Sequence, residues 1–103
     1  MSSSRVAFVT GASSGIGRET ALLLAKQGHA VACVSRERKR LDETVDAIRK
    51  ADGRAIAIHG DVLKAADMEG AVATCAKELG GLDVLVPAAG VIGMGSVDAT
   101  SLA

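Results

Sequence analysis

Apolar residues in this chain come in short solid runs, separated by stretches where they recur every three or four positions. The first run, RVAFVT at 5–10, is apolar and β-branched and stops at a glycine, which predicts a strand. HAVACV at 29–34, RAIAIH at 54–59 and LDVLV at 82–86 predict three more. The intervening stretches have helical periodicity. Residues 15–27 predict a helix with Leu23 and Leu24 on its buried side and Gly28 as its stop signal. Residues 38–51 predict a second, with Leu41, Val45 and Ile48 on one stripe, charged residues elsewhere, and Asp52-Gly53 closing it. Met68, Val72, Cys75 and Leu79 fall on one face of a third, which ends at Gly80-Gly81. Residues 87–103 read as loop.

Strands alternating with helices of this length predict βαβ units and a parallel sheet. Right-handed crossovers narrow the topology further. Taking the Rossmann strand order, this α/β sheet with flanking helices would run 3-2-1-4. The 103 residues amount to one half-domain of this type, truncated after the fourth strand. A fifth strand would normally lie beside the fourth, so an open parallel edge is expected, and with it a marginal, association-prone domain.

Composition sharpens this picture by exclusion. The chain is 49% hydrophobic but has no Trp, no Tyr and one Phe, so its apolar content is mostly Ala, Val, Leu and Ile. That suits buried strands under helices. Twelve basic and twelve acidic residues cancel, which argues against nucleic acid or an anionic membrane as partner. Cys33 and Cys75 are expected to be buried free thiols, since a secreted disulfide scaffold carries more cysteine. His29 and His59 are isolated from any ligand-spaced cluster, so no metal site is expected. The N-terminal apolar run is too short for a signal peptide, and no stretch approaches the roughly 20 apolar residues of a membrane span. A soluble, cytoplasmic protein is the expectation.

The candidate chemistry begins at TGASSGIG, residues 10–17, where a predicted strand turns into a predicted helix. A helix N-terminus presents free N–H groups and the positive end of the helix dipole, which together favour an anion. Gly11 would allow the sharp turn. Gly15 would clear space for a pyrophosphate, and Gly17 would let the helix approach the sheet. Ser13 and Ser14 add hydroxyl donors. The flanking strand, helix and βαβ spacing supply the context a dinucleotide-binding motif requires. The spacing Thr-Gly-x3-Gly-x-Gly, with Thr10, Gly11, Gly15, Ile16 and Gly17, resembles the glycine motif of the short-chain dehydrogenase/reductase family. "GDV" at 60–62 and "LDVLVPAAG" at 82–90 resemble further segments of that family.

The end of the second strand would face the adenosine ribose, where an acid bonds the hydroxyls and repels a 2′-phosphate. This chain has Ser35 and then Arg36, and an arginine suits phosphate through paired, charge-assisted hydrogen bonds. The pair resembles the family's NADP-preferring pattern, so NADP(H) is the preferred cofactor. Glu37 is a rival that could take the ribose role and favour NAD(H). The alternative is that Arg36, Arg38, Lys39 and Arg40 form the solvated start of a helix, which is the reading kept for Lys39 and Arg40. By resemblance Asp61 accepts from the adenine amino group with the Val62 backbone beside it; on chemistry alone Asp61 could equally cap a helix. His59 reads as structural.

Where the family usually has Asn-Asn-Ala-Gly, this chain has Pro87-Ala88-Ala89-Gly90. Pro87 lacks a backbone donor but is tolerable at a strand's end. Ala89 and Gly90 keep the backbone able to pass close to the cofactor ribose. The family's chemistry rests on a Ser, a Tyr and a Lys, with Tyr and Lys four apart, and this chain has no tyrosine. Ser96 and Ser101 follow Gly90 too soon to match the family serine, so no catalytic residue is assigned. Val91, Ile92, Met94 and Gly95 resemble a segment bordering the substrate pocket, or are a loop. The resemblance implies hydride transfer between the dinucleotide and a small carbonyl or alcohol substrate, in a whole protein that is a homo-oligomer. These 103 residues alone are expected to be inactive. A binding module without chemistry and a non-functional remnant are the competing readings.

Overall fold

The computed structural model describes residues 5–88. Four strands, β1 (Val6–Thr10), β2 (Ala30–Ser35), β3 (Arg54–His59) and β4 (Val84–Pro87), alternate with three helices, α1 (Gly15–Lys26), α2 (Arg38–Lys50) and α3 (Ala65–Leu79). The strands form one sheet in the order β3-β2-β1-β4, and each of its three pairings is parallel. The expected Rossmann order is therefore the one observed.

The two faces of the sheet carry separate apolar layers. On one face Val9, Val31, Cys33 and Ala55 pack with Ala21 and Ala25 of α1 and with Leu41, Val45 and Ile48 of α2. On the other, Phe8, Ala30, Ala32 and Val34 pack with Ala71, Cys75 and Leu79 of α3. Successive strand residues point to opposite faces, so a strand covered on both sides must be apolar at every position. That is why β1 and β2 read as solid runs. Both cysteines are free and buried, and burial pushes the Cys33 thiol up to about 12 and raises that of Cys75. Neither thiolate forms near neutral pH, so these side chains serve as small apolar filler.

The helix faces correct two expectations. In α1 the buried stripe is Gly17, Ala21 and Ala25, while Leu23 is 55% exposed and Leu24 half-buried. Small residues let α1 lie close to the sheet, and the leucines then flank the contact. In α3 the buried set is Ala71, Cys75 and Leu79, with Met68 half-buried and Val72 exposed. Again the smaller neighbour takes the inner position.

β4 starts two residues later than its apolar run suggests. Asp83 does not extend the strand as a side-chain position; it clasps the start of β1. Its N–H donates to the Val6 carbonyl at 2.8 Å, and its carboxylate accepts from the Val6 N–H at 2.8 Å. This clasp turns the backbone groups of Val6 toward β4, and by alternation those of Phe8 and Thr10. In a parallel ladder the register partner of such a residue turns its own groups away. Pro87 is the partner of Thr10, so its nitrogen faces away from β1 and the ladder loses no donor there. Ala88 N–H then closes back on the Val86 carbonyl at 3.1 Å, a three-residue turn about Pro87 suited to the fixed φ of proline. Among the described residues β4 has one neighbour, and Leu85 is exposed on it.

Candidate functional site: a cleft at the carboxyl ends of the strands

β1 delivers the chain to Gly11, whose φ of 67° makes the sharp turn a side chain would strain. The helix α1 begins at Gly15 after Ser14, which has extended backbone and makes no side-chain cap bond; no acid stands in the first turn. The first helical bond in the turn runs from Arg18 N–H to the Ser14 carbonyl. Helix geometry leaves the N–H groups of Gly15, Ile16 and Gly17 without an intrahelical acceptor, at the positive end of an uncompensated dipole. The space over Gly15 is open, with no atom within 4 Å of where a Cβ would stand. Gly17 is the reverse: a Cβ there would collide with the Gly11 carbonyl oxygen and lie 2.6 Å from its carbon. One glycine keeps room for a ligand and the other closes the helix onto the turn. Ile16 is exposed beside them.

Next to this turn is a cleft of about 310 Å³, lined by Gly11, Ser35, Arg36, Glu37, Gly60, Asp61, Val62 and Leu63. Its walls are the turns that follow β1, β2 and β3, so a parallel sheet alone brings them together. Gly60 N–H donates to the Ser35 carbonyl at 3.1 Å and ties the second turn to the third. Ser35 Oγ donates to Ser13 Oγ at 3.0 Å and accepts from Glu37 N–H at 3.0 Å. Arg36 Nη1 stands 3.7 Å from Asp61 Oδ2, with the guanidinium 73% exposed and the carboxylate 15% exposed. A pair this open contributes at most about 1 kcal/mol, so it orients the two groups more than it stabilises the fold.

The helix-cap reading of Asp61 is not what the structure shows. α3 begins at Ala65 with Lys64 at its N-cap. Asp61 Oδ1 instead accepts from Leu63 N–H at 2.9 Å, an Asx turn, and Asp61 N–H donates to Asp67 Oδ2 at 2.8 Å. The Asp61 side chain is thus held in the cleft wall with its second oxygen toward Arg36. Asp67, in the first turn of α3, is the brace that sequence reading missed; its signal was an acid at a helix start, legible only once that start is known.

His59 closes the outer side of this region. Its Nε2 lies 3.1 Å from Asp42 Oδ1 and its Nδ1 3.4 Å from Arg38 Nη1, so it ties the end of β3 to α2, in line with a structural role. Lys39 and Arg40 are exposed. Ser13, Ser14, Gly15, Ile16, Gly17, Arg36, Asp61 and Val62 gather at one end of the sheet, and Pro87 ends β4 beside Thr10. Ala89 and Gly90 lie outside the described residues, as do Val91, Ile92, Met94, Gly95, Ser96 and Ser101. Among the described residues no cluster of three or more His, Cys, Asp or Glu could hold a metal, and no helix is long and apolar enough to cross a membrane.

The family model for short chain dehydrogenase matches residues 5–103. The chain is 48% identical over 91 residues to the short-chain reductase protein NovJ of Streptomyces niveus, covering 88% of this chain and 35% of that protein. It is 40% identical over 83 residues to the short-chain dehydrogenase/reductase homolog YusS of Bacillus subtilis, covering 80% of this chain and 76% of that one. A crystal structure of an actinorhodin polyketide ketoreductase with NADPH superposes with a TM-score of 0.78 at 39% identity, over 82% of this chain and 32% of that chain. The chain thus spans about a third of the length of the NovJ reductase and of the ketoreductase.

Proposed function

This chain belongs to the short-chain dehydrogenase/reductase family, and on that premise we propose that residues 1–103 are the cofactor-binding half of an NADP(H)-dependent oxidoreductase. One observation carries the proposal. The uncapped N-terminus of α1, with open space over Gly15, follows the Gly11 turn, and Gly11 shares a cleft with Arg36 and Asp61. The residues fit the parts of a dinucleotide in order. The N–H groups of Gly15, Ile16 and Gly17 take the pyrophosphate. Arg36 takes the 2′-phosphate, and Asp61 accepts from the adenine amino group beside Val62. The superposition on a ketoreductase holding NADPH supports the same choice of cofactor.

When bound, the dinucleotide supplies or accepts the hydride, and the whole protein would move it to or from a carbonyl or alcohol carbon. The 103 residues contain no tyrosine, and the role they take in this reading is to bind and orient the dinucleotide. The test is calorimetric titration of the chain with NADPH and with NADH. Tighter binding of NADPH is expected. Absence of binding at millimolar concentration overturns the proposal, and tighter binding of NADH would move the ribose contact to Glu37.

A further inference from the structure

We infer that Ser13 is a positioning residue for the 2′-phosphate subsite, acting through Ser35 on the backbone that carries Arg36. The inference rests on the assignment of Arg36 to phosphate. Ser13 belongs to the glycine turn after β1, and Ser35 ends β2. Their hydroxyls meet at 3.0 Å, and both are partly buried. This bond joins the two turns side chain to side chain.

A serine hydroxyl has one proton to give and two lone pairs to offer. With its proton committed to Ser13, the Ser35 oxygen turns its lone pairs toward the Glu37 N–H, which it receives at 3.0 Å. That second bond closes a small ring with Arg36 as its central residue. The ring sets the backbone at Arg36 and hence the direction from which its long side chain enters the cleft opposite Asp61. An arginine side chain has much rotamer freedom to lose on binding, so an anchored base matters for a phosphate contact. If Ser13 loses its oxygen, the Ser35 proton seeks another acceptor and the ring loosens. The rival role for Ser13 is a direct bond to the pyrophosphate. That group is common to NADPH and NADH, so the rival predicts equal losses for both.

The experiment is calorimetric titration of NADPH and NADH against the wild-type chain, Ser13→Ala, Ser35→Ala, the double variant and Ser13→Thr, with thermal unfolding run on each. Ser13→Ala is expected to weaken NADPH about three- to tenfold, the scale of one neutral hydrogen bond, and NADH less than about twofold. The double variant is expected to bind NADPH no worse than Ser35→Ala alone, since both substitutions break one chain of bonds. Ser13→Thr, which keeps the hydroxyl, is expected to restore the affinity to within about twofold. Equal losses for the two cofactors, or additive losses in the double variant, overturn the inference while leaving the cofactor site standing. A wild-type chain that binds neither dinucleotide overturns the proposed function, and this inference with it.

Discussion

The two ends of the parallel sheet are finished in different ways. At the amino end of the strands the helices arrive with their carbonyl ends, and short turns fold back onto them. Gly28 and His29 donate to Ala25 and Leu24, Asp52 and Gly53 to Arg49 and Ile48, and Gly80 to Ala76. Arg49 adds two bonds to the Ala55 carbonyl, at 3.0 and 2.9 Å, and Asp83 clasps Val6. At the carboxyl end the same helices arrive with their N–H ends. Ser14, Glu37 and Lys64 stand at the three N-cap positions, and none makes a side-chain cap bond. One end satisfies its polar groups from within. The other leaves its helix N-termini without side-chain caps, at the edge where open α/β sheets bind ligands.

If that division is right, substitutions at the two ends separate binding from stability, except where the cleft itself rests on close packing. The largest effect is expected for Gly17→Ala. Its Cβ would meet the Gly11 backbone, so the helix must move off the turn, at a cost of about 3 kcal/mol in stability. Chemical denaturation measures it, and titration should show dinucleotide binding falling with it. A variant as stable as wild type would show that the close approach is dispensable. Arg36→Ala comes next and is expected to weaken NADPH by about 1.5–3 kcal/mol, the scale of hydrogen bonds to a charged group, with NADH and the melting temperature little changed. Equal losses for both cofactors would remove Arg36 from the phosphate role.

At the amino end, Gly80→Ala should do the opposite. Gly80 has a φ of 88° with nothing near a new Cβ, so the penalty is conformational, about 1–2 kcal/mol of stability, with NADPH affinity unchanged. Coupled loss of affinity would mean that the two ends are not independent. The smallest effect is expected for Leu23→Gln, within about 0.5 kcal/mol, because Leu23 stands on the exposed flank of α1. A large loss in its melt would restore Leu23 to the core and contradict the small-residue stripe.

Much of the fold was legible because its period was unambiguous. Two strands covered on both faces give solid apolar runs, and their spacing by helix-length segments points to a parallel sheet. The helix faces were less legible. Counting large apolar residues selected Leu23 and Val72, whereas the packed positions belong to Gly17, Ala21, Ala25 and Ala71. Close approach rewards small size, and hydrophobicity along a helix does not encode how near the neighbouring layer comes. At the site, TGASSGIG named its glycines correctly as turn and close contact, since each answers to a steric demand. The hydrogen-bond partners of Ser13, Ser35, Asp61 and Asp67 were not legible, because a hydroxyl or carboxylate takes whichever partner the fold brings within about 3 Å.

The order of strands and helices, the glycine turn and the charge of Arg36 are properties of the sequence alone, because each depends on neighbours a few residues away. Which hydroxyl meets which, and the nitrogen of Pro87 facing away from β1, were decided only by the tertiary structure. They depend on register between segments 20 to 80 residues apart, and a register is set by the packing of whole layers.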